Sequence, residues 1–340
     1  MKLLISSLRF ELSTPIVTAG EKISVREGFR VEVGDAEGSG QGEATPLVHF
    51  GTESLAQTSA ALLTWQSPGA LDSVEAIAAA TQVLQKTPAA RHGLELALLD
   101  RLAKLTGVSI AKLLNEQARR EVRCAALIDG EDAASLAKAA ERAVGQGFDV
   151  LKVKVAARML SVDAQRLLAV RRAVGSKVLL RIDANGGWSE SAARTALRGM
   201  ESLELELCEQ PVAAADVGGL GRIRGVVPCR IAADESLLVR EQIEAVFSAD
   251  RPPAVDVVVL KPMALGGLLP SLALARRAHA AGVGAYVTTL LDGPIARAAA
   301  AQLAAAIPQS DWASGLATAE LMKGAVPDAF TPEKGRIRIP

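Results

Sequence analysis

The sequence predicts an α/β protein in which eight parallel strands alternate with helices, behind a smaller α+β module, and three observations carry that prediction. The 340 residues fill about two domains at roughly 150 residues each. From about residue 119, short β-branched runs alternate with helical stretches, the rhythm of parallel βα units. Charged side chains recur at one phase of successive runs, about 26 residues apart.

The first thirty-odd residues alternate apolar and polar, as in KISVREGFRVEVGD, with Gly20 and Gly34 as punctuation, and predict an antiparallel meander. Between Leu55 and about Leu114 the apolar period becomes helical, with Ser73 as a start signal and Gly107 as a stop. Candidate strands then run Arg123 to Ile128, Val150 to Val155, Val178 to Asp183, Leu205 to Glu209, Arg230 to Asp234, Val255 to Lys261, Ala285 to Thr289 and, more weakly, Trp312 to Leu316. Helical stretches such as AASLAKAAERAVGQG, PSLALARRAHAAG and PIARAAAAQLAAAI separate most of them, the last two opened by Pro270 and Pro294. Eight such strands close into a (β/α)8-type barrel, with an open doubly wound sheet as the alternative. No GxGxxG follows a strand, and the closing KGRIRIP is expected to return to the N-terminal meander.

Thirty-eight basic residues balance thirty-eight acidic ones, so no global field draws the chain to nucleic acid or anionic lipid. The most apolar region, Ala280 to Ile307, contains Asp292, Pro294 and Arg297 and lacks the ~20 apolar residues of a membrane span. Cys124, Cys208 and Cys229 are odd in number and far apart, which suits buried reduced thiols in a cytoplasmic protein.

Six charged residues end strand runs where a packed barrel would place apolar ones: Lys152, Lys154, Asp183, Glu209, Asp234 and Lys261. Each alone has a plain reading. LKVKV fits a half-exposed strand, Asp183 a turn, Asp234 and Glu235 a helix cap, Glu209 a loop charge and Lys261 a solvated strand end. Their shared phase argues otherwise, because in a barrel the strand ends beside the βα loops converge over one mouth. Three carboxylates without His or Cys suit an oxygen-loving divalent cation, Mg²⁺ foremost, with Mn²⁺ as a substitute. Residues two apart on a strand share a face at roughly 6.7 Å, so Lys152 and Lys154 both point inward and each disfavours the other's charge. A lysine base beside a bound cation serves proton removal next to a carboxylate, so the expected partner is a small-molecule carboxylate.

These residues resemble the enolase superfamily, and within it the group that includes the muconate-lactonizing enzymes. KxK matches Lys152 and Lys154; Asp183, Glu209 and Asp234 match ligands on the third, fourth and fifth strands; Lys261 matches the sixth-strand lysine. Asn185 fits the DxN form, Glu235 the DE form, and GQGEATPLVHFGTES a GxGEAxP stretch leading to a substrate-covering loop, where His49 and Phe50 are candidate contacts. The resemblance implies a modified TIM barrel, (β/α)7β, over residues 119–317. It also implies an α+β capping domain from residues 1–118 joined by the tail 318–340, and it admits a homo-oligomer.

The stretch Ser314-Gly315-Leu316-Ala317-Thr318 is similar to that of the o-succinylbenzoate synthases, which implies a lyase. In that reading Lys154 is the base, Lys261 stabilises the anion, and Thr288 and Thr289 with Gly315 and Leu316 contact the substrate. Dipeptide epimerases and N-acylamino acid racemases, which use a base on each face, are the alternative. The epimerases carry an Asp-x-Asp where this chain reads ASGLAT, which leaves Asp292 as the nearest acid. A barrel that binds metal without turnover is the third reading.

Overall fold

The computed structural model describes residues 1–17, 22–308 and 311–340. The first strand extends to Val17, and Gly20 lies outside the described residues.

The meander forms as expected. β1 (Lys2–Val17) pairs antiparallel with β2 (Lys22–Gly34), which pairs antiparallel with β3 (Ser39–Ala44). Four helices follow, α1 (Leu55–Thr64), α2 (Val74–Thr81), α3 (Pro88–Thr106) and α4 (Ile110–Leu114). Ser73 caps α2 by accepting from the Ala76 amide, and Gly107 ends α3 with φ 70°, the left-handed geometry glycine tolerates. α3 lies against the sheet so closely that a Cβ on Gly42 would sit 2.0 Å from the Gly93 carbonyl oxygen.

The second half is a seven-stranded parallel sheet curled on itself with helices along it. In chain order it comprises β4 (Glu121–Arg123), β5 (Ala126–Ile128), α5 (Ala133–Gly145), β6 (Val150–Lys154), α6 (Leu160–Val174), β7 (Leu179–Asp183) and α7 (Glu190–Gly199). Next come β8 (Leu205–Glu209), α8 (Val217–Ile223), β9 (Arg230–Ala233), α9 (Arg240–Val246), β10 (Val257–Leu260) and α10 (Pro262–Leu265). The series ends with α11 (Leu268–Ala280), β11 (Gly284–Val287), α12 (Pro294–Ala306) and β12 (Arg336–Arg338). The sheet runs β5 to β11 in sequence order, every pair parallel.

Four expectations are corrected. The run Arg123 to Ile128 divides, because β4 pairs antiparallel with β12 while β5 joins the parallel sheet. KGRIRIP therefore pairs with β4 rather than with the meander. The tail touches the meander earlier, where the Lys323 amide donates to the Glu11 carbonyl at 2.8 Å. The run Trp312 to Leu316 forms only single bridges, Cys124 with Ser314 and Thr288 with Gly315. α11 begins at Leu268, two residues before Pro270, while α7 and α8 fill intervals in which the sequence singles out no particular helical stretch.

Those single bridges span the two edges of the sheet. The Ala125 amide donates to the Ser314 carbonyl at 2.9 Å, and the Gly315 amide to that of Val287 at 2.9 Å. A side chain at Gly315 would strike Thr288 Oγ1 at 2.5 Å, so only glycine permits this approach. One core runs from the meander through α3 into the helices around the sheet, and the three cysteines are free and buried. No described helix is long and apolar enough to cross a membrane.

Candidate active site

The strand ends place the predicted charges side by side. Register sets Lys152 beside Arg181, Lys154 beside Asp183, and Asp183 beside Glu209. Side chains two apart share a face, so one row of Lys154, Asp183 and Glu209 stands above a deeper row of Lys152, Arg181 and Leu207. The chain then turns sharply. Ala156, Asn185, Gln210 and Leu291, each just beyond a strand of this sheet, have φ between 38° and 69°, a strained backbone for residues other than glycine.

A cavity opens over these ends, lined by Lys152, Lys154, Asp183, Asn185, Lys261, Thr288, Thr289 and Gly315 among the predicted residues. Glu209 and Asp234 lie beneath it, wholly buried. Glu235 is bound through Oε1 by the Asn185 side-chain amide at 3.0 Å, and its Oε2 is buried without a partner among the described residues. Leu316 is wholly buried and His49 is off the described lining, whereas Phe50 lines the cavity with its ring centroid 4.4 Å from the Lys261 ammonium. His92 donates from Nδ1 to the Glu43 backbone carbonyl at 2.9 Å, within the core.

The lysines divide into two kinds. Lys152 lies 2.6 Å from Glu209 Oε1 and 2.9 Å from Asp183 Oδ2, and Lys261 pairs with Asp234 Oδ2. Burial disfavours both ammoniums, but these carboxylates outweigh it and hold both pKa values up. Lys154 makes no ion pair or hydrogen bond among the described residues. Burial first, then the charges of Lys152 and Lys261, lower its pKa against the opposing pull of Asp183. It is the amine best suited to take a proton.

The carboxylates answer in kind. Burial raises Glu209 to about 7 and Asp234 to about 6, with Asp183 adding repulsion at each. Asp183 itself goes down to about 2, because Lys152 and Lys154 overcome its burial. The expected convergence of all three on a single point is not the arrangement adopted. Among the described residues no three acidic, histidine or cysteine side chains are grouped to hold an ion. Lys152 stands between Asp183 and Glu209, and Lys261 takes Asp234, because buried carboxylates draw the nearest ammonium. The donor set still fits a hard divalent cation: three adjacent buried carboxylates, and a fourth acid, Glu235, with an orphaned oxygen.

Sequence reasoning missed three residues. Gln210 accepts from the Asp234 amide at 2.9 Å and the Ser236 amide at 3.2 Å, bracing the fifth strand end from the fourth. Arg181, two before Asp183 and so on the same face, is 1% exposed and lines the cavity. Tyr286 donates its hydroxyl to Glu209 Oε2. The period-two spacing signals Arg181; nothing local signals that Tyr286 crosses the interior.

Asp292 does not line the cavity. Its Oδ2 accepts from the Leu290 amide at 3.1 Å, and it is buried near Glu43, which accepts from the Gly293 amide at 2.6 Å at the start of α12. Arg26 joins the same cluster, donating to the Pro46 carbonyl at 2.8 Å. These contacts fasten the meander to the loop after β11.

Comparison with known proteins agrees with this geometry. Residues 135–340 match the family model described as Enolase C-terminal domain-like, and residues 5–101 match MenC, N-terminal domain. A chloromuconate cycloisomerase of Cupriavidus necator is 30% identical over 285 residues, covering 82% of this chain and 76% of the relative. The L-Ala-D/L-Glu epimerase of Bacillus subtilis is 30% identical over 308 residues, covering 88% and 83%. Its substrate-liganded structure superposes with a TM-score of 0.91 at 28% identity, over 100% of this chain and 96% of that one. A dipeptide epimerase of Methylococcus capsulatus, solved with Mg and the dipeptide L-Arg-D-Lys, gives 0.88 at 27% identity, over 100% and 96%. With more than half of its length matched by the family model, and lysines and carboxylates on successive strand ends of a parallel sheet, the chain belongs to the enolase superfamily.

Proposed function

We propose that this protein is an o-succinylbenzoate synthase, a lyase that removes water from the hydroxycyclohexadiene carboxylate precursor of o-succinylbenzoate. One observation carries the reading: among the described residues Asp183 is the sole acid lining a cavity that is otherwise largely apolar, with Ile23, Leu47, Leu127, Leu290 and Leu291 around the lysines. Such a lining accepts a carbocyclic ring and offers no acid beyond the metal ligand Asp183 to a substrate ammonium, which a dipeptide would bring. The match of residues 5–101 to the MenC N-terminal model supports the same choice.

In this reading Asp183, Glu209 and Asp234 hold Mg²⁺, or Mn²⁺ in its place, and the cation supplies positive charge to the substrate carboxylate. Lys154 takes the proton α to that carboxylate. The electron pair left behind forms the new ring double bond as the neighbouring C–O bond breaks, and the Lys154 ammonium returns its proton to the departing hydroxyl as water. No oxidant is needed, since the lost atoms are one water. Lys261, held as a cation by Asp234, balances the developing negative charge, and Thr288, Thr289 and Gly315 border the succinyl end. The accompanying architecture is a (β/α)7β barrel of residues 119–317 closed by the Ser314–Gly315 segment, capped by residues 1–118 and 318–340.

A second reading rests on the same lining. Lys154 and Lys261 face one cavity, as a two-base racemase requires, and an N-acylamino acid has no ammonium to satisfy. The test offers the protein with Mg²⁺ the diene precursor and, separately, N-succinylamino acids and dipeptides in deuterated water. Loss of diene absorbance is expected; deuterium entering an amino acid with no diene turnover overturns the proposal.

A further inference from the structure

We propose that Tyr286 is a positioning residue that fixes the Glu209 carboxylate for a divalent cation, an inference that rests on the metal reading above. Tyr286 is the chain's single tyrosine and is 2% exposed. It belongs to β11, three strands from β8 in the sheet, and reaches across the interior to donate to Glu209 Oε2 while Lys152 holds Oε1 at 2.6 Å. Both carboxylate oxygens are therefore clamped from different strands.

The ring is itself fixed. The Arg181 guanidinium lies 4.9 Å from its centroid and 5.6 Å from that of Trp312, and Arg181 is anchored to Glu206 and to the Ala313 carbonyl at 2.7 Å. The apolar residues clustered with it, Leu207, Ala232, Val257 and Val259, give the hydroxyl nothing to bond. A phenylalanine would fill this space equally well, so the hydroxyl's contribution is the bond to Glu209. Groups that orient a metal-binding carboxylate in this way typically change metal affinity about 10- to 100-fold when removed.

The test compares Mn²⁺ binding, read from free Mn²⁺ by electron paramagnetic resonance, for the full-length wild type, Tyr286→Phe and Asp183→Asn. Expected are a tenfold or greater rise in the dissociation constant for Tyr286→Phe with an unchanged far-ultraviolet circular dichroism spectrum, and loss of binding for Asp183→Asn. Wild-type binding that Asp183→Asn abolishes but Tyr286→Phe leaves within twofold overturns this inference alone; no wild-type binding overturns the metal reading with it. A second measurement needs no variant at position 286. Tyrosine labelled with ¹³C at Cζ alone gives one resonance, which is expected to move when Mg²⁺ is added to the wild type and to stay in Asp183→Asn; a resonance that Mg²⁺ leaves in place in a wild type that binds Mn²⁺ overturns the assignment.

Discussion

Replacing Lys154 by methionine separates catalysis from stability at this site. A general base contributes about 10²- to 10⁴-fold, or about 3 to 5 kcal/mol of barrier at ~1.4 kcal/mol per decade. Turnover of Lys154→Met is therefore expected at or below about one percent of the parent. Stability should behave differently, because Lys154 is largely buried, carries a lowered pKa and makes no ion pair among the described residues, so its loss leaves no carboxylate newly unpaired. The unfolding free energy in urea should stay within about 1 kcal/mol of the parent. Lys152→Met is the contrast. It strips the ammonium from Asp183 and Glu209 together, two buried carboxylates at 2.9 and 2.6 Å, and breaking such a pair costs about 3–5 kcal/mol. Diene turnover with Mg²⁺ and urea titrations followed by circular dichroism measure both quantities. Activity of Lys154→Met above about one percent, or a stability loss equal to that of Lys152→Met, would refute the reasoning.

Three further outcomes follow from the same contacts. Burial, and then Asp292, raises Glu43 to about 7 from an ordinary 4.5, so the stability it contributes is full below about 4.5 and is lost as pH rises through about 7. Glu43→Gln should flatten that fall by about 3 kcal/mol between those limits, and parallel curves for variant and parent in urea titrations across pH would contradict it. Gly42→Ala puts a methyl 2.0 Å from the Gly93 carbonyl and should destabilise the packing of the meander on α3 by about 1–3 kcal/mol or more; an unchanged urea midpoint rejects the close approach. Chelation by EDTA should abolish turnover and Mg²⁺ restore it, whereas full activity in chelator removes the cation from the mechanism.

The sequence carried the site better than it carried the closure of the fold. Lys152, Lys154, Asp183, Glu209, Asp234 and Lys261 were legible because a parallel βα unit repeats at nearly constant length and buried strand ends rarely hold charge without cause. Ser73 and Gly107 were legible because helix ends depend on local chemistry. The split of Arg123 to Ile128 was not, since Cys124 and Ala125 continue the apolar run and only the distant pairing of β4 with β12 divides it. Nor was the single-bridge contact at Ser314 and Gly315, which a close approach to Thr288 sets rather than any β-branched run. The lysine–carboxylate pairing that keeps the acids from a common point depends on side chains 27 to 57 positions apart and has no local signal.

The proposed mechanism requires Asp183, Glu209 and Asp234 to share one divalent ion beside Lys154. Anomalous diffraction from crystals grown with Mn²⁺ tests it most directly. One strong peak is expected within ligand distance, about 2.2 Å, of all three carboxylates, with Lys152 moved off Asp183. A peak that leaves any of the three out of reach, or none in protein that turns over its substrate, would contradict it.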